Sequence, residues 1–171
     1  MKKSNLSYLF CAISLFGLSY IQTNPKNSKG KTVIQIGEKL DLKDFKKTDD
    51  GLLYKTITAG TGARPYSGET VTVHYTGWLL IDKDKVGDKF DSSVDRGQHF
   101  KFKLGQGMVI RGWDISLADM KIGEKRLVIL PPHLAYGSHG AGNVIKPNST
   151  LIFEIELLGI EKSVLDAAEQ S

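Results

Sequence analysis

Apolar and polar residues alternate along several short stretches of the chain, a pattern typical of β-strands that bury one face. Two of these stretches are TVTVHYTGWLL, residues 70–80, and HFKFKL, residues 99–104. The apolar residues that share one face are Val71, Val73 and Tyr75 in the first stretch and Phe100, Phe102 and Leu104 in the second. Because Lys101 and Lys103 lie on the opposite face of the second stretch, both stretches are predicted to be half-buried antiparallel strands.

Three further stretches, residues 52–58, 125–130 and 150–160, also show the strand pattern. In the last of them, Glu154 and Glu156 alternate with four apolar residues, Leu151, Phe153, Ile155 and Leu157. We therefore expect the glutamates to face solvent and the apolar residues to face a core. In total, the chain carries five strand signals.

The segment MVIRGWDISLADM, residues 108–120, has helical spacing instead. Trp113, Leu117 and Met120 recur at positions i, i+4 and i+7, which turns all three toward one interior face of a short helix. A tryptophan in the first turn of such a helix has two interpretations. It packs in the core, or it forms the floor of a concavity near a surface opening.

Five strands with one short helix and no repeating β-α-β order predict an α+β domain. The expected architecture is an antiparallel sheet that closes over the helix, and we expect this domain to cover residues 51–161. Residues 22–50 are rich in lysine and aspartate and are predicted to be a linker. Residues 162–171 form a short C-terminal tail with helix-forming residues.

The first 21 residues resemble a secretory signal. Lys2 and Lys3 precede an apolar run of about 16 residues, shorter than the ~20 residues that a membrane span needs. Residues 1–21 are therefore predicted to direct export to the periplasm or cell envelope of a bacterium. The segment is either a cleaved signal peptide or an uncleaved anchor, and contact with a membrane is expected only through it.

Composition narrows the classes of function. The net charge of +4 includes Lys2 and Lys3, and no basic cluster indicates nucleic-acid binding. Because Cys11 is the only cysteine, no intramolecular disulfide and no cysteine-based metal site can form. None of the four histidines belongs to a metal-binding motif. We therefore expect neither a metal nor a cofactor.

Nucleotide binding and covalent catalysis are also disfavoured by the sequence. Gly105, Gly107 and Gly112 do not have the spacing of a phosphate-binding loop. Ser92 and Ser93 stand outside any nucleophile-elbow motif. The function is therefore expected to need no nucleophile.

Apolar and aromatic residues interrupt connections that are otherwise polar and rich in glycine. They are Phe90, Trp113, Tyr136, Val144 and Ile145, which the pattern places outside the predicted strands. Apolar residues in loops usually pack onto something, and several that converge at one mouth form an apolar binding site. This distribution indicates binding without conventional acid-base groups.

Several motifs together resemble one known family. They are VTVHYTGWL, KFDSSVDRGQHFKFKLGQGMVIRGWDISLADMKIGEKRLVILPPHLAYG and IKPNSTLIFEIELLGI, which occur in the family's order and cover residues 51–161 almost end to end. The resemblance is to the FKBP-type peptidyl-prolyl cis-trans isomerases. The segment DDGLLYKTITAGTGARP is similar to exported or surface bacterial members, including the macrophage infectivity potentiator group.

The resemblance implies a half-barrel of antiparallel strands wrapped around one short helix, with a ligand pocket between them. Trp113 matches the family's pocket floor, Asp91 and Arg96 would form a polar group beside Tyr75, and the Ile110 N–H would donate to the ligand. Catalytic roles are expected for Tyr75, Phe90, Asp91, Ile110, Trp113, Tyr136 and Phe153. Substrate-binding roles are expected for Arg96, Phe100, Val109, Val144 and Ile145.

Some of these residues have a plain structural alternative. Phe100 and Phe153 are inward strand residues, which any such sheet would bury. Asp91 precedes two serines and could cap a turn instead. The twelve residues between Gly77 and Phe90 form a longer connection than in small family members. Ala141 and Lys146 also depart from the family pattern in a loop that overhangs the pocket.

The implied activity is acceleration of X-Pro isomerisation during the folding of exported proteins. The implied partners are proline-containing polypeptides, with macrolides as inhibitors, and the chain is expected to be a monomer. The alternative is a binding module that keeps the pocket but catalyses poorly, acting as a chaperone or adhesion factor. An assay with an X-Pro peptide separates the two.

Overall fold

The computed structural model describes residues 34–162. The predicted signal segment, the beginning of the predicted linker and the tail from residue 163 lie outside these residues. The strands within them are β1 (Lys46–Lys47), β2 (Leu53–Thr58), β3 (Thr70–Ile81), β4 (Lys85–Ser92), β5 (Phe100–Lys103), β6 (Lys125–Leu130) and β7 (Thr150–Glu161). The helices within them are α1 (Arg111–Asp119) and two short 3-10 helices, Leu42–Asp44 and Pro132–Leu134.

The described strands form one antiparallel sheet in the order β1-β2-β6-β7-β3-β4, and β5 also pairs with β3. Strands β3 and β7 are twelve residues long and pair along almost their whole length at the centre of the sheet. Val73 and Ile155 are fully buried, whereas Glu154 and Glu156 are partly exposed, as the alternation predicts. The predicted α+β architecture, an antiparallel sheet around one short helix, is confirmed.

Helix α1 packs its apolar stripe against the concave side of the sheet. Trp113 is 4% exposed, and Leu117 and Met120 are fully buried, as the helical spacing predicts. The helix begins after Ile110, whose backbone is extended and whose side chain provides no cap. Instead, Asp114 in the first turn accepts a backbone N–H of the preceding loop at 2.8 Å. This bond fastens that loop to the beginning of the helix.

The prediction of five strands is incomplete, because β1 and β4 were not among them. The sequence of β4 is KVGDKFDS, in which charges and a glycine break the apolar alternation. Its pairing with β3 also contains two register shifts. As a correction, Phe90 and Asp91 lie in β4 rather than in a connection, and the twelve residues before Phe90 form most of the β3–β4 hairpin.

Strand β6 is buried on both faces, not on one as its predicted alternation implied. Leu127 and Ile129 point away from α1 and pack with Trp78 and Ile152 in a second apolar cluster on the outer side of the sheet. Such a cluster needs a cover, because an exposed apolar patch of this kind is unusual in a soluble domain.

The cover is residues 34–47, which we call the N-terminal strap. Ile34 is 7% exposed, and Leu40, Leu42 and Phe45 pack against the same outer cluster. The strap ends in β1, which pairs with β2. The predicted linker of residues 22–50 therefore includes, from residue 34, a segment that packs on the domain.

Candidate functional site

A cavity of about 180 Å³ opens between the concave side of the sheet and the beginning of α1. Its lining residues are Tyr75, Phe90, Asp91, Phe100, Met108, Val109, Ile110, Trp113, Tyr136 and Phe153. All of them except Met108 are pocket residues that the sequence resemblance implies. We call this cavity the aromatic pocket. It is similar in size to cavities of about 150 Å³ that hold one benzene molecule.

The floor of the aromatic pocket is the indole of Trp113. The rings of Tyr75 and Phe153 meet it edge-on with centroids 4.9 Å and 5.3 Å away, and that of Phe100 lies at 6.0 Å. Edge-to-face packing at these distances is favourable for aromatic pairs. The buried Nε1 atom of Trp113 has no hydrogen-bond partner among the described residues. The floor is therefore a rigid aromatic surface.

One wall of the pocket is the pair Phe90 and Phe153, whose rings pack at 5.5 Å and 86°. Both rings lie directly against the backbone of Gly77. A Cβ atom at Gly77 would be 2.6 Å from Phe90 Cζ and 2.8 Å from Phe153 Cε1. The wall therefore requires glycine at this position. Gly77 was not predicted to belong to the site, although a glycine inside a strand signals such a close approach.

The polar corner of the pocket consists of Tyr75, Asp91 and Arg96. The Tyr75 hydroxyl donates to Asp91 Oδ2, and Arg96 Nη1 donates to Asp91 Oδ1. Arg96 Nη2 also donates to the Tyr75 hydroxyl oxygen at 3.0 Å. The Asp91 carboxylate therefore bonds to two side chains of the site, which goes beyond the turn-capping alternative.

This corner fixes the charge states of its members. Burial alone raises the pKa of the Asp91 carboxyl, but the hydrogen bonds from Tyr75 and Arg96 and the charge of Arg96 outweigh it and lower this pKa. Burial, followed by the hydrogen bond to Asp91, raises the pKa of Tyr75. The corner therefore holds a carboxylate, a guanidinium and a neutral phenol near neutral pH.

Ile110, Tyr136 and Met108 surround the mouth of the pocket. The backbone N–H of Ile110 has no acceptor among residues 34–162. Burial and the charge of Asp91 raise the pKa of Tyr136, so its phenol is neutral as well. Met108 is 61% exposed and was not predicted to belong to the site, although it is an apolar loop residue like Tyr136. The mouth thus combines apolar surface with a free N–H donor.

Three residues expected at the site do not line the pocket. Arg96 instead donates hydrogen bonds to two residues that do line it, Asp91 and Tyr75. Ile145 is 7% exposed and packs in the core, whereas Val144 is 55% exposed. The backbone pairing of Ala141 with Ile145, with N–H to oxygen bonds of 2.8 and 3.1 Å, bends the loop. This bend separates the environments of the two neighbouring residues.

Within residues 34–162, no group of three histidine, cysteine, aspartate or glutamate side chains could hold a metal ion. No helix among these residues is both long and apolar enough to cross a bilayer.

Comparison with known proteins places the chain in a family. Residues 62–158 match the sequence profile described as FKBP-type peptidyl-prolyl cis-trans isomerase. The chain belongs to this family. FKBP-type members are named for peptidyl-prolyl cis-trans isomerisation, and the chain is an enzyme of this class.

Relatives from distant organisms support the FKBP assignment. A Neisseria meningitidis serogroup B protein named FK506-binding protein is 48% identical over 110 residues, which cover 64% of this chain and 96% of the relative. FK506-binding protein 2 of Dictyostelium discoideum is 56% identical over 94 residues, covering 55% of this chain and 67% of that protein.

Solved structures show the same FKBP fold. The crystal structure of FkpA from Escherichia coli matches with a TM-score of 0.62 and 39% identity over 71% of this chain. The match covers 53% of FkpA, so this chain spans about half the length of that protein. AtFKBP13 matches with a TM-score of 0.60 and 37% identity over 67% of this chain and 97% of its own.

Proposed function

We propose that the aromatic pocket is the isomerase site and that it binds the prolyl ring of an X-Pro segment. The observation that carries this assignment is the combination of a buried aromatic floor, Trp113, with an unpaired N–H donor at the mouth, Ile110. A pyrrolidine ring suits the size and apolar character of the cavity. The donor is available to hold a substrate carbonyl.

The reaction needs no nucleophile, because no bond is made or broken. Rotation about an X-Pro amide is slow because twisting removes the resonance of the C–N bond, with a barrier of ~18–20 kcal/mol. The planar amide has a larger dipole than the twisted one and is better solvated by water. Transfer into the aromatic pocket therefore costs the planar ground state more than the twisted state.

The pocket residues have distinct roles in this mechanism. Trp113, Phe90 and Phe153 exclude water and fit the prolyl ring, and the Ile110 N–H orients one carbonyl of the substrate. Catalysis follows from better complementarity to the twisted amide than to the planar one. The Tyr75–Asp91–Arg96 corner keeps one side of the pocket polar without supplying a proton.

The substrates that fit this site are polypeptides with an apolar residue before proline, because the rim is apolar. Met108 and Tyr136 are partly exposed beside the opening and provide that surface. Several relatives are named for binding FK506, and we infer that a macrolide of this kind competes with the peptide here. The domain is proposed to act as a monomer.

The pocket assignment can be tested with two matched rim substitutions. Met108 lines the pocket and is 61% exposed, whereas Val144 is 55% exposed and does not line it. In a protease-coupled assay with an X-Pro peptide, Met108→Ser should raise KM and Val144→Ser should leave it unchanged. An equal effect of both substitutions would contradict the pocket assignment. A wild-type rate at the uncatalysed background would favour a binding module instead.

We further infer that the enzyme acts outside the cytoplasm on exported proteins. The support is the basic and apolar pattern of residues 1–21 together with the bacterial relatives. Fractionation of bacteria that express the full chain tests this location. A pool in the membrane or periplasm is expected, and full-length protein confined to the cytosol would overturn the inference without affecting the isomerase assignment.

A further inference from the structure

The N-terminal strap connects the two opposite edges of the sheet. At one edge, the Gly37 N–H donates to the Val86 oxygen at 2.7 Å, and the Val86 N–H donates to the Glu38 oxygen at 2.8 Å. At the other edge, β1 pairs with β2. Strands β4 and β2 lie near opposite ends of the sheet, so the strap crosses the outer face of the sheet from one end to the other. It also lies outside residues 62–158, the part that matches the family profile.

Ile34 is the buried anchor of the strap. Its side chain is 7% exposed and lies in the outer cluster with Trp78, Val86 and Ile152. Ile36, two residues later, is 63% exposed. The strap therefore presents one isoleucine to the sheet and one to solvent, at nearly the same place in the chain.

Trp78 connects the strap to the wall of the aromatic pocket. It follows Gly77, the residue whose backbone supports the rings of Phe90 and Phe153. On one side Trp78 pairs in regular register with Ile152 of β7, whereas on the other side the β3–β4 register shifts both before and after Trp78. The Trp78 side chain packs with Ile34 in the outer cluster, so the strap also contacts β3 next to the irregular part of its pairing with β4.

Strand β4 provides a second connection. The strap pairs with β4 at Val86, and the same strand carries Phe90 and Asp91 into the pocket. The strap thus contacts both strands beside the wall, β3 at Trp78 through side-chain packing and β4 at Val86 through backbone hydrogen bonds.

We propose that Ile34 is a positioning residue for the isomerase site, which sets the positions of Phe90 and Asp91 through Trp78 and β4. The inference rests on the proposed role of the aromatic pocket. Loss of the anchor lets the wall move away from the prolyl ring, so substrate binding weakens. A purely structural role would lower the fraction of folded enzyme, and hence the apparent kcat, without changing KM.

The test compares Ile34→Ala with Ile36→Ala in the full chain. We expect Ile34→Ala to raise KM for an X-Pro peptide roughly tenfold, less than the ~100-fold that a shift of about 1 Å can cost. Ile36→Ala should leave KM at the wild-type value. Cooperative unfolding monitored by circular dichroism confirms that each variant is folded.

A measurement without substrate separates this inference from the pocket assignment. Backbone amide resonances of Gly77, Phe90 and Asp91 should shift in Ile34→Ala and stay in place in Ile36→Ala. An unchanged KM together with unshifted resonances in Ile34→Ala would overturn the positioning role while leaving the pocket assignment intact. An inactive wild-type enzyme would instead overturn the pocket assignment, and the catalytic meaning of the strap with it.

Discussion

His74 and Ser93 meet beside strand β3, where His74 Nδ1 lies 2.9 Å from the hydroxyl oxygen of Ser93. Ser93 is fully buried, and its hydroxyl oxygen also accepts the backbone N–H of Tyr75 at 2.8 Å. The imidazole of His99 meets that of His74 edge-on, with ring centroids 4.4 Å apart. A charge on His74 would therefore lie partly out of water and next to a second imidazole.

This arrangement predicts that acid weakens the fold. Burial is the largest cause that lowers the pKa of His74 below its ordinary value of 6.5, and the neighbouring His99 is the second. The charge of Lys125 also lowers this pKa, whereas the charge of Glu156 raises it. The unfolded chain therefore binds this proton at a higher pH than the folded chain. The stabilising contribution is present above pH 6.5 and is lost as the pH falls through the folded pKa. We expect a smaller free energy of unfolding at about pH 5 than at about pH 7.

His99→Gln is the matched variant for this prediction, because it removes one cause of the shift and leaves His74 in place. An NMR titration should give His74 a higher pKa in His99→Gln than in the wild type. Urea unfolding should then show a smaller loss of stability in acid. A wild-type His74 that titrates at its ordinary value would contradict the prediction.

Replacement of Gly77 by alanine should damage both stability and activity. The new methyl group would meet Phe90 Cζ at 2.6 Å and Phe153 Cε1 at 2.8 Å. Overpacking of this kind costs about 1–3 kcal/mol, and the displaced rings should also raise KM. Denaturant unfolding and the peptide assay measure the two effects.

Gly159→Ala is the control for Gly77→Ala. Gly159 also lies in a strand, β7, but a Cβ atom there would have no other atom within 4 Å, apart from its chain neighbours. We expect wild-type activity and unchanged or slightly higher stability. Equal losses in the two variants would show that the close contact with the aromatic wall is not the cause.

The Tyr75 hydroxyl is predicted to help keep Asp91 ionised. Burial raises the pKa of Asp91, while the bonds from Tyr75 and Arg96 lower it below 3.8. Tyr75→Phe removes one of these bonds, so this pKa should move upward. A carboxyl group whose pKa is lowered by folding stabilises the fold at a pH above its pKa in the unfolded chain, and this contribution is lost in acid. The variant should therefore lose less stability below about pH 4. A carboxyl titration by NMR checks the shift, and an unchanged Asp91 pKa would contradict it.

Local patterns predict those elements that bury one face against a single core. This holds for β3, β5, β7 and α1, whose apolar periods match their observed burial. Strand β4 has no such period, since Gly87 and several charges interrupt it, and it is held by pairing with β3 and with the strap. Strand β1 is only two lysines long and pairs with β2, so neither β1 nor β4 has an apolar period that could predict it.

The site shows the same limit. Most of the pocket residues could be assigned through resemblance to the FKBP family. The sequence also assigned Val144 and Ile145 to the pocket, which they do not line. Their placement depends on the backbone bridge between Ala141 and Ile145, which residue types alone do not encode. Met108 could not be assigned either, because its place at the mouth depends on the course of the loop before α1.

Tyr136 provides the sharpest test of a rim residue that is functional rather than structural. The Tyr136 side chain lines the pocket. Because this residue is 39% exposed, it contributes little to the core. Tyr136→Ala should lower kcat/KM roughly tenfold, equivalent to about 1.4 kcal/mol of transition-state binding, with little change in unfolding. Tyr136→Phe retains the ring and loses only the hydroxyl, so activity near the wild-type value would assign the effect to apolar contact with the substrate. If instead Tyr136→Ala abolishes the cooperative unfolding transition, the residue supports the fold and its place at the rim carries no catalytic meaning.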